Sequence, residues 1–243
     1  VLLEKGHDVI CCVREKNRLT IHKNLLKKVE ILEIDFLKNP ILDNFPKNID
    51  AAYYLIHSMS TSSEKFDALE SKAANNFKTY LESTSVKQVM YLSGISNEDK
   101  LSKHLNSRKK VEDILKSDKY LMTVLRAGII VGSGSASFEM IRDIVEKLPV
   151  LITPKWVLTK AQPIAISDVI TYLNGVLFHD RCYNQTFDIG GPEILTYKEM
   201  MLQYAQIRKL KRKLYSTSLI SPKVSSYWLF FITSVSYRLA KSL

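Results

Sequence analysis

The sequence predicts an α/β protein built on a doubly wound parallel sheet. Two observations carry that prediction. Short, nearly uninterrupted apolar runs recur along the chain, the form taken by strands buried on both faces. Between them lie longer segments whose apolar residues repeat at helical spacing. Strand and helix in repeated succession imply a parallel sheet covered on both sides. With 243 residues, the chain can bury a sizeable core as one domain, or as a large domain with a small appendage.

Val1 to Arg14, VLLEKGHDVICCVR, reads as the end of a helix, a glycine turn and a buried strand closed by a cation. That is the later half of a nucleotide-binding βαβ unit, whose first strand delivers a glycine-rich turn and a helix N-terminus to a pyrophosphate. The expected first strand and turn therefore lie ahead of Val1. Where that strand would sit, the sheet is expected to show a gap or partial pairing. Val29 to Ile34 is the next strand, ending in Asp35 and Phe36. Pro40 to Lys47 is a short helix or turn, and Asp50 to Ile56 is a strand running into His57. Glu64 to Ser83 carries Phe66, Leu69, Ala73, Phe77 and Leu81 at helical spacing. Val86 to Leu92 is a strand with Ser93-Gly94 at its exit, Leu101 to Lys116 a helix and Leu121 to Ala127 a further strand.

After Gly128 the pattern loosens. Gly132 to Ser135 form a turn before a helix from Ser137 to Leu148, and Pro149 to Pro163, with prolines at both ends and at Pro154, reads as irregular extended chain. Ser167-Asp168 cap a helix reaching Phe178, and Thr186 to Ile189 is a short strand into Gly190-Gly191-Pro192. Thr196 caps Tyr197 to Ile207, with Glu199 placed to complete a capping box. The expected division is residues 1–148 as a partial dinucleotide-binding domain and residues 149–243 as a substrate-side region that contributes in part to it.

The formal charge of +10 comes from 35 Lys and Arg against 25 Asp and Glu. Basic runs such as Arg208 to Lys213 attract phosphate-bearing partners. They lack interleaved aromatics or a helix-turn-helix pattern, so no nucleic acid is expected, whereas peripheral contact with an anionic membrane stays open. The apolar stretch Tyr227 to Val235 is too short to cross a bilayer. It is read as a core or inter-domain helix, or as an interfacial one. Cys11 and Cys12 point to opposite faces of one strand and Cys182 stands alone, the pattern of reduced thiols in a cytoplasmic protein. No His, Cys, Asp and Glu grouping has metal-ligand spacing, so no metal is expected. Gly132 to Ser137 lacks the Lys-Ser/Thr of a phosphate loop; Phe138, Met140 and Ile141 beyond it face substrate or pack the core.

The end of the second strand of such a unit is where NAD and NADP are told apart. A carboxylate there receives the ribose hydroxyls of NAD, and an arginine accommodates the 2′-phosphate of NADP. Arg14, with Lys16 and Arg18 close behind, favours NADP(H) over NAD(H); a solvated basic loop is the alternative reading of the same residues.

VLLEKGHDVICCVRE, Ile34-Asp35, AAYYLIHSM, QVMYLSGIS, VLRAGIIVGSGSASFEMIR and FDIGGPEILTYKEMM together resemble the atypical short-chain dehydrogenase/reductase superfamily. More narrowly they resemble its NmrA-like, NAD(P)-binding branch, related to the NAD(P)H-binding accessory subunit of respiratory complex I. The resemblance spans nearly the whole chain. It implies a Rossmann-type sheet of order 3-2-1-4-5-6, lacking here its first strand and glycine-rich turn. It also implies that Arg14 faces the adenosine phosphate, Asp35-Phe36 the adenine, Leu55, Ile56 and His57 the ribose side, and Gly128, Ile129 and Ile130 the nicotinamide. Asp35 as a strand-end turn carboxylate and His57 as a packed loop histidine remain alternatives.

In that superfamily, chemistry rests on a Ser or Thr at a strand exit and a Tyr-x-x-x-Lys on the next helix. Ser93 sits at the serine position, whereas His104 and Arg108 stand where the tyrosine and lysine would be. A histidine, with an ordinary pKa near ~6.5, exchanges a proton at neutral pH unaided. Arg108 cannot act as a base, but it can fix ribose hydroxyls and hold His104 neutral by repulsion. Two functions are compatible with this substitution. One is an oxidoreductase-like enzyme acting on an apolar carbonyl or quinone-like substrate. The other is a non-catalytic NADP(H)-binding redox sensor or assembly protein.

Overall fold

The computed structural model describes residues 1–38, 45–56, 66–95 and 103–217. In chain order these form β1 (Val9–Val13), α1 (Lys23–Leu26), β2 (Val29–Glu33), β3 (Ala51–Tyr54), α2 (Phe66–Leu81), β4 (Gln88–Gly94), α3 (Lys103–Leu115) and β5 (Leu121–Ala127). There follow β6 (Ile130–Val131), α4 (Ala136–Lys147), β7 (Val150–Pro154), β8 (Lys160–Ala161), β9 (Ile164–Ala165), α5 (Ile166–Gly175), β10 (Gln185–Ile189), β11 (Leu195–Thr196), α6 (Tyr197–Ile207) and β12 (Lys213–Thr217). Residues 40–44 of the expected turn, His57 and everything after Thr217 lie outside the described residues.

The main sheet has the order β10-β5-β4-β3, with every neighbouring pair parallel. Alternation along its central strands divides the side chains between two cores. Val89, Tyr91, Met122 and Val124 pack with Ala73, Phe77, Val111 and Leu115 of α2 and α3. Met90, Leu125, Ala127 and Ile189 pack with Val169 and Val176 on the α5 side. This is the doubly covered sheet that the apolar strands predict.

β1 and β2 form a separate parallel pair, and no ladder among the described residues joins them to β3. A gap or partial pairing is expected here. Side chains bridge it instead. Ile34 and Phe36, beyond β2, share a core with Tyr54, Phe77 and Tyr80. Asn76 on α2 donates to the carbonyls of Phe36 (2.7 Å) and Lys38 (3.1 Å). With one ladder partner and one open edge, β1 is only partly covered and Cys12 is exposed. The expectation of a buried strand there is corrected accordingly.

A further apolar cluster joins α4 and α6 through Met140, Ile144, Met201 and Ala205 to Leu151 of β7. Pro149 to Pro163 is not irregular throughout: β7 pairs in parallel with β12, more than fifty residues away, and Pro154 falls at the last residue of the strand. α5 begins at Ile166 with Ala165 at its N-cap. Ser167 and Asp168 are therefore in its first turn rather than capping it, because β9 runs straight into the helix. Thr196 and Glu199 form the expected capping box on α6.

Candidate functional site

In an open parallel sheet, ligands gather beyond the carboxyl ends of the strands, at the point where the strand order reverses. Here that point lies between β1 and β3. Arg14 follows β1 directly and is exposed, its Nε 3.9 Å from Glu15 Oε1. Asp35 follows β2, and its Oδ1 accepts the Leu37 N–H at 3.0 Å, closing its own turn. Phe36 is buried with its ring edge-on to Phe77 at 5.4 Å, so the ring belongs to the core. At the exit of β3, Leu55 is 57% exposed while Ile56 packs against the core.

Gly128 to Ile130 are held by the segment Gln162 to Ile164. A Cβ on Gly128 would lie 3.1 Å from the Gln162 carbonyl oxygen. The Ile129 carbonyl accepts the Ile164 N–H at 2.9 Å, and Ile130 pairs with Ile164 in the β6–β9 ladder. Gly191 donates its N–H to Pro163 O (2.9 Å) and accepts from Gln162 Nε2 (2.6 Å). One extended segment thus pins both glycine turns. Met140 and Ile141 pack the core, and Phe138 lies edge-on to Tyr204. A hollow of about 430 Å³ beside the exit of β10 is lined by Asp168, Thr171, Tyr172, Gly190, Gly191 and Pro192.

Ser93 is buried at the exit of β4, opposite Arg126 in the ladder with β5. Its side chain lies near enough to the Tyr91 hydroxyl to favour the ionised phenol. From α3, Arg108 Nη1 donates to the Tyr91 hydroxyl and to the Leu92 carbonyl, each at 3.4 Å. Ser93 and Arg108 are therefore brought together through Tyr91. His104 lies one turn earlier on α3, its backbone helical and its side chain outside the described residues.

Tyr91 was not legible as a site residue. The one signal for it is strand alternation, which puts it on the same face as Ser93, two residues on. It is fully buried, and burial raises its hydroxyl pKa against the opposing pull of the Arg108 cation and the hydrogen bonds from Arg108 and Ser93. Tyr54 lies edge-on to it at 5.6 Å. The Glu70 carboxylate on α2 holds both phenols further toward the neutral form. The Tyr91 hydroxyl therefore keeps its proton, which it donates to the Arg108 carbonyl at 3.4 Å. Beside it Arg126 grips Glu112 with Nε–Oε2 at 3.2 Å and Nη2–Oε1 at 2.9 Å.

No family model and no curated protein matches the chain. Solved structures do share its architecture. One is a nucleoside-diphosphate-sugar epimerase from Staphylococcus aureus, with TM-score 0.72 and 12% identity over 96% of this chain and 78% of that one. The fold is Rossmann-type. A UDP-glucuronic acid 4-epimerase from Bacillus cereus in complex with NAD gives 0.71 at 15% identity, over 99% of this chain and 88% of the other. MoeE5, in complex with UDP-glucuronic acid and NAD, gives 0.71 at 15% identity over 89% and 79%. Among the described residues no group of three His, Cys, Asp or Glu side chains could hold a metal ion. No described helix is long and apolar enough to cross a membrane.

Proposed function

We propose that this Rossmann-type chain binds an NAD(P) dinucleotide across its strand exits and acts as an oxidoreductase-like protein of the atypical short-chain dehydrogenase/reductase kind. The observation that carries this reading is the convergence of Ser93, Tyr91 and Arg108 at the exit of β4. The fit to a dinucleotide rests on three features. Arg108 keeps a buried Nε–H without a hydrogen-bond partner, a donor still available to a ribose hydroxyl. Leu55 offers exposed apolar surface at the exit of β3, and Arg14 stands as a cation at the exit of β1. Arg14 favours the 2′-phosphate of NADP(H) over the free hydroxyl of NAD(H).

In this reading Asp35 and the backbone at Phe36 border the adenine, and Leu55, Ile56 and His57 the ribose. Gly128, Ile129 and Ile130 border the nicotinamide. Residues 149–243 supply the substrate side. A dinucleotide held there would supply hydride chemistry at a substrate carbon. Ser93 orients the substrate oxygen, and His104 gives or takes the accompanying proton. Tyr91 holds Ser93 and Arg108 in register. The substrate in this reading is an apolar carbonyl or quinone-like compound, in keeping with the NmrA-like resemblance.

The replacement of Tyr-x-x-x-Lys by His104 and Arg108, with Arg108 committed to Tyr91 and Leu92, favours a second reading in which the protein binds the dinucleotide without turning it over. Thermal unfolding of the full chain with NADPH and with NADH separates binding from its absence. At a hundredfold excess over Kd, stabilisation is about 2.7 kcal/mol, and the shift with NADPH is expected to exceed that with NADH and to fall in Arg14→Asp. No shift with either at millimolar concentration overturns both readings. Oxidation of NADPH by a panel of ketones and quinones, abolished in Ser93→Ala and His104→Ala, identifies the enzyme; binding without turnover identifies the second reading.

A further inference from the structure

The β7–β12 pair presents an apolar face to solvent. The ladder sets Lys213 beside Val150, Leu214 beside Leu151 and Tyr215 beside Ile152. Residues paired across a ladder share a face, and successive residues alternate. Leu151 and Leu214 accordingly enter the α4–α6 core, while Val150, Ile152 and Tyr215 stand 49%, 53% and 57% exposed on the other side. Val150 and Lys213 continue into an open hollow of about 580 Å³ whose other walls include Pro149, Leu202, Ala205 and Leu210. Beside it α6 ends in Ile207, 78% exposed.

The basic run that borders this face is not uniform in its commitments. Arg208 pairs with Glu146 at 3.3 Å, and Arg212 donates to the carbonyls of Val145 and Glu146. Glu146, the neighbouring carboxylate, is further engaged by the Tyr204 hydroxyl. Lys209, Lys211 and Lys213 are exposed, and although their backbones are hydrogen-bonded, their side-chain ammonium groups have no partner among the described residues. Three free ammonium groups thus edge a surface of aliphatic side chains and one tyrosine.

We propose that this β7–β12 face docks on an anionic phospholipid bilayer. Apolar side chains enter the boundary between headgroups and acyl chains, where tyrosine also sits well, while lysines reach the phosphates on long apolar stems. A contiguous exposed apolar patch otherwise marks a protein interface. A second copy of this chain is a poor occupant, because it opposes lysine to lysine in a molecule of net charge +10. Nucleic acid makes no use of Val150 and Ile152. The cations and the apolar face together match a surface that is anionic at its rim and apolar beneath.

Co-sedimentation of the full chain with phosphatidylcholine vesicles, with and without phosphatidylserine, tests the assignment. Binding is expected only with phosphatidylserine present and is expected to weaken as salt rises. Neutralising the three lysines together, as Lys209→Gln/Lys211→Gln/Lys213→Gln, removes about fivefold per cation and on the order of 100-fold in all. Ile152→Ser/Tyr215→Ser should weaken binding by about tenfold or more at unchanged charge. All five positions are exposed, and an unchanged melting temperature verifies that the fold is kept. Lys23→Gln/Lys27→Gln/Lys28→Gln, an equal loss of charge on exposed residues elsewhere, should change it little. The proposal is overturned by an absence of binding, by equal losses in the two triple variants, or by full binding in the face variants, which places the contact elsewhere in the chain. Lysine-dependent binding of polyglutamate in place of vesicles also overturns it and assigns the face to an acidic protein.

Discussion

The Glu112–Arg126 pair ties α3 to β5 and offers the sharpest test of how the site is held. Three contacts of 2.9 to 3.2 Å join the guanidinium to both carboxylate oxygens, and the side chains are 22% and 8% exposed. Glu112→Leu leaves Arg126 as an uncompensated cation in a largely dry setting. Removing one partner of a fully buried pair costs about 3–5 kcal/mol. Because Arg126 retains some contact with water, about 3 kcal/mol at the low end is the expected loss. For a chain of this size, each kcal/mol moves Tm by about 2–4 °C, so Glu112→Leu should melt roughly 6–12 °C lower. Arg126→Met should cost a similar amount, since it strands the carboxylate. The double variant replaces the pair by apolar volume and should return to within about 1 kcal/mol of the parent. A thermal or urea double-mutant cycle measures all three. The reasoning fails if Glu112→Leu costs under about 1 kcal/mol, or if the double variant loses the sum of the two single losses.

Other outcomes follow from contacts away from the strand exits. Gln88 is fully buried, donating to Thr123 Oγ1 and Val176 O at 2.9 Å and accepting the Phe178 N–H at 2.7 Å. Gln88→Leu strands the buried Val176 carbonyl and the part-buried Phe178 N–H and should cost about 1–3 kcal/mol in urea unfolding; a loss below about 0.5 kcal/mol means that water reaches both. A Cβ on Gly191 would lie 2.3 Å from the Pro163 carbonyl oxygen, so Gly191→Ala forces the two segments apart and should lower stability by about 1–3 kcal/mol; an unchanged Tm refutes that rigidity. Burial pushes the Tyr53 hydroxyl up to about 12 and raises Tyr54, Tyr80, Tyr91 and Tyr120 as well. These groups are neutral in the folded state and ionise near pH ~10 once unfolded. The stability that they confer is thus complete below about pH 10 and is lost as pH climbs through their raised values. Tyrosinate absorbance should rise in two stages, the later one accompanying unfolding; a single titration of all twelve tyrosines with the fold intact contradicts it.

What could be read from the residues follows from how local each signal is. β4 and β5 are apolar runs bounded by turn residues, and α2 has a clean helical period, so both were visible from the sequence. The separation of β1–β2 from the main sheet was expected as a gap or partial pairing, and among the described residues no ladder joins the two. β7 and β12 were not. Val150 to Pro154 lies among prolines and Lys213 to Thr217 ends a basic run, and each becomes a strand only by pairing with the other across the whole of α5 and α6. Ser93 could be placed at a strand exit from the sequence. Tyr91, Glu70 and Glu112 could not be read as site residues, because each takes its meaning from a partner on another element: Tyr91 from Arg108, seventeen residues on, and Glu112 from Arg126, fourteen residues on.

These long-range contacts determine where position 104 stands, although its side chain is not described. Arg108 lies against Leu92, whereas the Leu115 carbonyl, two turns further along α3, accepts from Tyr120 just before β5 begins. Leu121 in turn donates to Lys87, just before β4. The helix therefore runs against the strands, and moving back along it moves toward the strand exits. One turn is about 5.4 Å, and two strand residues cover about 6.6 Å. The backbone of His104, one turn before Arg108, thus stands level with Ser93 and Gly94, two residues at most beyond Leu92. Two successive turns of α3 are fastened to the sheet, Arg108 to β4 and Glu112 to β5, and the next turn outward brings the backbone of position 104 level with the exit of β4. The proton-transfer role proposed for His104 accordingly depends on the Tyr91–Arg108 and Glu112–Arg126 contacts as much as on the imidazole itself.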